Sequence, residues 1–92
     1  MTKEQIRKHI IFHGRVQGVG FRYYAVNKAR ALGASGWVKN LYDGTVEMEI
    51  QGTELQIEEL ILFLQNQRFI DIEHVDSKRI PIKDDSDFRE RW

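Results

Sequence analysis

The sequence predicts an α+β sandwich: a four- to five-stranded antiparallel sheet with two helices on one face, on the strength of three observations. Two helical stripes are interleaved with β-rich segments in the order strand, helix, strand, strand, helix, strand. An Asp-Gly pair, Asp43-Gly44, separates the second and third β segments, a strong short-range sign of a hairpin. Val46, Met48 and Ile50 alternate with Glu47, Glu49 and Gln51, so one sheet face is buried and the other is wet.

The elements follow in order. His9-Ile10-Ile11-Phe12-His13 reads as the first strand, β-branched and apolar, closed by Gly14. From Phe21 the spacing Phe21, Ala25, Ala29, Leu32 marks one helix face, and Gly33 stands where a left-handed C-terminal residue is wanted. Gly36 to Asn40 and Thr45 to Ile50 form antiparallel strands around the Asp-Gly turn. Thr53-Glu54-Leu55-Gln56 has capping-box spacing, and Ile57, Leu60, Ile61 and Leu64 form the second helical stripe. Ile72 to Ile82 gives a fourth strand whose apolar parity changes between Ile72 and Val75, which predicts a bend or bulge. Phe88 to Trp92 adds a short edge strand. This is the ferredoxin-like split β-α-β order.

Ninety-two residues allow a single domain, 1–92, with one modest core. Lys plus Arg and Asp plus Glu are both 14, a formal charge of zero, which argues against nucleic acid or an anionic membrane as partner. No cysteine is present, so thiolate chemistry and cysteine-based zinc sites are excluded. The charged N-terminus, Met1 to Lys8, lacks the apolar run of a signal peptide, and no later stretch is long enough to span a bilayer. A cytoplasmic monomer is expected, although the terminal edge strand with Phe88 and Trp92 offers a surface for pairing.

Gly14-Arg15-Val16-Gln17-Gly18-Val19-Gly20-Phe21-Arg22 places three glycines and two arginines within nine residues, ahead of a helix. Glycines let backbone N–H groups converge, the helix N-terminus adds positive potential, and a guanidinium supplies a forked clamp. That combination suits a phosphoryl group. It matches neither common nucleotide signature: five residues after Gly14 stands Val19, and five after Gly18 stands Tyr23, where those motifs need glycine.

The loop resembles that of the acylphosphatase family without a change from Gly14 to Arg22. Gly36-Trp37-Val38-Lys39-Asn40 resembles the family's second motif, with Lys39 in place of arginine, and the likeness runs through Leu41 to Glu47, where relatives often have proline at the position of Tyr42. Beyond Gly52 it thins to pattern; many relatives have Gly-Pro where this chain has Asn66-Gln67-Arg68-Phe69. The resemblance implies hydrolysis of a small-molecule acyl phosphate to a carboxylate and inorganic phosphate. Arg22 with Arg15, Val16, Gln17, Gly18, Val19 and Gly20 would hold the phosphoryl group, and Asn40 would place the attacking water; no cofactor and no metal are implied.

The residue chemistry agrees with this. A cation opening a helix is disfavoured by the macrodipole unless an anion joins it, which is the case Arg22 presents. Phosphoryl transfer depends on positioning and charge neutralisation, and a leaving carboxylate needs no strong acid. The water's proton is expected to pass to a substrate phosphate oxygen, with an exposed carboxylate as the competing acceptor. Alone, Asn40 reads as a turn former, and Arg15 as solvated. His9 and His13 could pair on a metal, but they, like His74, read as satisfied or solvent-facing side chains, no third ligand being expected nearby. Phe12 and Trp37 are expected in the core or site wall, Tyr23 and Tyr24 on different helix faces, and Lys83 to Asp87 in a solvated loop. Two other readings stay open. Single-stranded RNA readers share the element order, but Thr45, Glu47, Glu49 and Gln51 stand where they need exposed aromatics. The other is a regulatory or carrier domain that binds phosphate or carbamoyl phosphate without turnover.

Overall fold

The computed structural model describes residues 4–92; Met1, Thr2 and Lys3, with the first part of the expected domain and N-terminal segment, lie outside the described residues. The elements are β1 (Gln5–Arg15), α1 (Phe21–Leu32), β2 (Ser35–Asn40), β3 (Val46–Thr53), α2 (Glu54–Gln65), β4 (Asp71–Ile80) and β5 (Phe88–Glu90). Both expected helix boundaries hold for physical reasons. Gly33 ends α1 at φ 77°, and Thr53 and Gln56 close a reciprocal capping box on α2.

The five strands form one sheet in the order β4-β1-β3-β2-β5. The first four strands are antiparallel as expected, but β5 runs parallel to β2, so the sheet is mixed and the expectation of an all-antiparallel sheet is corrected there. The chain leaves β4 at the end of the sheet where β2 begins, crosses to the far edge and turns back, so β5 descends beside β2. Among the described residues no helix is long and apolar enough to cross a membrane.

One apolar core lies between the sheet and the helices. Ile10, Phe12, Met48, Ile57, Leu60 and Phe88 are fully inaccessible, and the rings of Phe12 and Phe21 sit 5.0 Å apart at 57°, a tilted contact that favours both rings. Tyr24 packs against this core while Tyr23 is exposed, as two consecutive helical positions require.

The opposite sheet face differs from expectation. Residues 81–87 are irregular and mostly exposed, as a solvated loop should be, but hydrogen bonds tie them across the sheet as a strap. Lys83 N–H donates to Gln51 Oε1 and Gln51 Nε2 to the Lys83 carbonyl, both at 2.9 Å, and Gly36 N–H donates to the Asp87 carbonyl. Beneath it Arg7, 1 % exposed, donates to Glu49, Gln51 and Asp85. A buried guanidinium needs these acceptors, and the strap supplies one of them. Trp37 also lies on this face, half-buried beneath Arg91 with the guanidinium 4.8 Å from its ring, rather than in the core.

The predicted irregularity in β4 is a bulge. His13 pairs with His74 and Gly14 with Ile72, which leaves Glu73 as the extra residue. Gly14 makes this possible: at φ 122°, a Cβ there would stand 2.2 Å from the Asp71 carbonyl oxygen. The first glycine of the loop therefore serves strand packing.

Candidate active site

The two helices begin differently. Thr53 and Gln56 cap α2 and Glu54 occupies its first turn, whereas α1 starts from Gly20 with no side-chain cap and no acidic residue in its first turn. The first N–H groups of α1 therefore lack an intrahelical or capping acceptor, and the helix dipole adds positive potential where they point. Gly18 and Gly20, at φ 73° and 80°, give the loop the left-handed turns that wrap it around this end. Val16 is buried in the core and Val19 packs against it, so the loop is anchored by its two valines.

Gln17 ties the loop to the hairpin. Its Nε2 donates to the carbonyls of Leu41 at 2.7 Å and Thr45 at 2.8 Å. Within that turn Asp43 Oδ1 accepts from Thr45 N–H at 3.0 Å and Thr45 Oγ1 at 2.6 Å. The Thr45 hydroxyl, and then its N–H, hold the Asp43 carboxyl below its ordinary range. The turn following Asn40 is thus fixed against the glycine loop.

Asn40, the last residue of β2, has its Oδ1 buried with no hydrogen-bond partner, an arrangement that costs free energy unless a further donor arrives. Asn40 lines a cleft of about 190 Å³ together with Val16, Gly18, Gly20, Arg22 and Glu90. Arg22 Nη1 lies 3.1 Å from Glu90 Oε2, and its guanidinium stacks 4.6 Å from the Trp92 ring. A second, wider groove of about 530 Å³ shares Asn40 and is lined by Gln17, Lys39, Leu41, Tyr42 and Trp92.

Of the residues singled out from sequence, Val16, Gly18, Gly20, Arg22 and Asn40 therefore come together in one cleft. Gln17 lines only the wider groove, Val19 faces the core and Arg15 is exposed. Sequence reading missed Glu90 and Trp92. The available signal was parity: Glu90 lies two residues from Phe88 and so shares its helix-side face. It also missed a grouping of three side chains: Asp76 stands two residues from His74 on the same strand face, and strand pairing brings His13 beside them, which linear spacing does not reveal.

A ferredoxin-like α+β sandwich thus brings to a common cleft an uncapped helix start and one guanidinium, both sources of positive potential, and one unpartnered amide oxygen, an acceptor. The acylphosphatase family profile matches residues 8–90, and the chain belongs to the acylphosphatase family. An acylphosphatase of Bifidobacterium longum is 45 % identical over 82 residues, 88 % of this chain and 84 % of that protein. The solved acylphosphatase of Bacillus subtilis superposes with a TM-score of 0.87 at 30 % identity, covering 95 % of this chain and 99 % of that one. The Thermococcus kodakarensis HypF structure contains a similar unit, with a TM-score of 0.81 at 33 % identity over 95 % of this chain, though this is 12 % of the HypF chain.

Proposed function

We propose that this chain hydrolyses acyl phosphates in the 190 Å³ cleft, and the observation that carries the reading is the buried, unpartnered Oδ1 of Asn40 beside the uncapped start of α1. Family membership and fold support acyl phosphate hydrolysis; the assignment of residues rests on the chemistry of the cleft. The phosphoryl group sits against the N–H groups of residues 15–20 and the start of α1, with Arg22 turning from Glu90 to its oxygens. Asn40 Oδ1 accepts a hydrogen from a water molecule and aims its lone pair at phosphorus, opposite the acyl oxygen. Attack forms the new P–O bond as the bond from phosphorus to the acyl oxygen breaks. The carboxylate leaves with its electron pair, and the water's proton passes to a phosphate oxygen.

Nothing stronger is required of the protein. A carboxylate whose conjugate acid ordinarily titrates near a pKa of about 4 departs without a general acid, and fixed donors around the equatorial oxygens stabilise the loose transition state. A cytoplasmic, monomeric enzyme acting on a small substrate, in one catalytic unit, completes the reading. Benzoyl phosphate hydrolysis, followed by ultraviolet absorbance with and without chelator, tests it. Chelator-resistant turnover by wild type, reduced about 10²-fold or more in folded Arg22→Ala, is the expected result. Phosphate binding without turnover would instead define a binding domain and overturn the reading.

A further inference from the structure

Outside the cleft, β1 and β4 place three metal-ligating side chains together on the open face of the sheet. His13 and His74 are direct antiparallel partners, so their side chains project from the same face, and their rings lie 5.2 Å apart. Asp76, two residues along β4, shares that face. Its Oδ2 lies 2.8 Å from His13 Nε2 and its Oδ1 2.8 Å from His74 Nε2.

We propose that His13, His74 and Asp76 form a binding site for a divalent transition-metal ion of the zinc class, apart from the phosphate cleft. One ligand atom from each of the three residues lies within 4.8 Å of the other two. Two atoms bonded to one ion at about 2.1 Å stand no more than about 4.2 Å apart, so modest side-chain rotation closes the triangle. The side chains are 38, 65 and 60 % exposed, which leaves them free to rotate and gives the ion direct entry. Two imidazoles and a carboxylate suit zinc, copper or nickel, with water filling the remaining positions, whereas calcium and magnesium prefer oxygen donors. In the present contacts each Nε2–H donates to Asp76; on binding, each neutral imidazole carries its proton on Nδ1, gives up that hydrogen bond and offers the freed Nε2 lone pair to the ion.

His9 provides an internal control. It lies on the same strand face but pairs with Glu47 at 2.7 Å, away from the cluster. Chelator-treated full-length protein would be titrated with zinc chloride by calorimetry, and with cobalt(II) by visible absorption, alongside His74→Gln, Asp76→Asn and His9→Gln. Circular dichroism would verify the fold of each. The expected result is one zinc per chain, bound roughly tenfold or more weakly in either cluster variant and unchanged in His9→Gln. No stoichiometric uptake by wild type, or uptake that survives both cluster changes, would overturn the proposal. It does not depend on the hydrolytic reading, since the titration requires no turnover.

Discussion

Glu90 holds Arg22: the carboxylate oxygen of the edge strand lies 3.1 Å from the guanidinium nitrogen at the mouth of the cleft. In the proposed function, an incoming phosphoryl group competes with this internal anion. Trp92 stacks on the same guanidinium, so the last residues of the chain restrict the arginine's position from two sides. Replacing Glu90 by Gln removes the competing charge while keeping the shape. Inorganic phosphate should then inhibit turnover about two- to fivefold more tightly, the range of a partly exposed ion pair, measured as a competitive inhibition constant.

Gln17 joins the loop to the Asn40 hairpin through two hydrogen bonds. Gln17→Ala loses both, which should reduce stability by about 1–3 kcal/mol and lower kcat by loosening the spacing between Arg22 and Asn40. Urea denaturation and steady-state kinetics check the two effects separately.

Gly14 approaches the Asp71 carbonyl too closely for any Cβ and has φ 122°. Gly14→Ala should cost about 1–3 kcal/mol through backbone strain at the bulge, read as a lower urea midpoint. The cost should exceed that of Gly18→Ala, whose added methyl group meets no atom within 4 Å.

Acid stability should depend on Glu49. Burial raises its pKa, but hydrogen bonds and charge from Lys83 and Arg7 outweigh this, and the net value is lowered. A carboxyl whose folded pKa is depressed stabilises the fold above its unfolded pKa, and that contribution is lost as pH falls through the folded value. Wild type should therefore lose stability as pH drops below about 4.3, and Glu49→Gln should flatten that limb of a pH series of urea melts.

Local signals made much of this molecule readable. The glycine loop, the capping box and the Asp-Gly turn each lie within a few adjacent residues, and their backbone demands appear directly in residue type. Arg22 and Asn40, which the fold brings to one cleft, each flank such a motif. Glu90, Trp92 and the direction of β5 were not, since a three-residue strand carries no sign of its orientation and its partner lies 52 residues earlier at Gly36. The strap over Arg7 was hidden for a related reason: a polar run reads as solvated until the buried charge beneath it is known. His13 joined His74 and Asp76 only through the β1–β4 register.

Turnover and phosphate affinity of Asn40→Ala, measured on the same folded sample, test the central claim most directly. A water-positioning Asn40 predicts a fall in benzoyl phosphate kcat of about 10²-fold or more, with inorganic phosphate bound as in wild type. Retention of wild-type kcat, or loss of turnover only in proportion to lost phosphate binding, would contradict it.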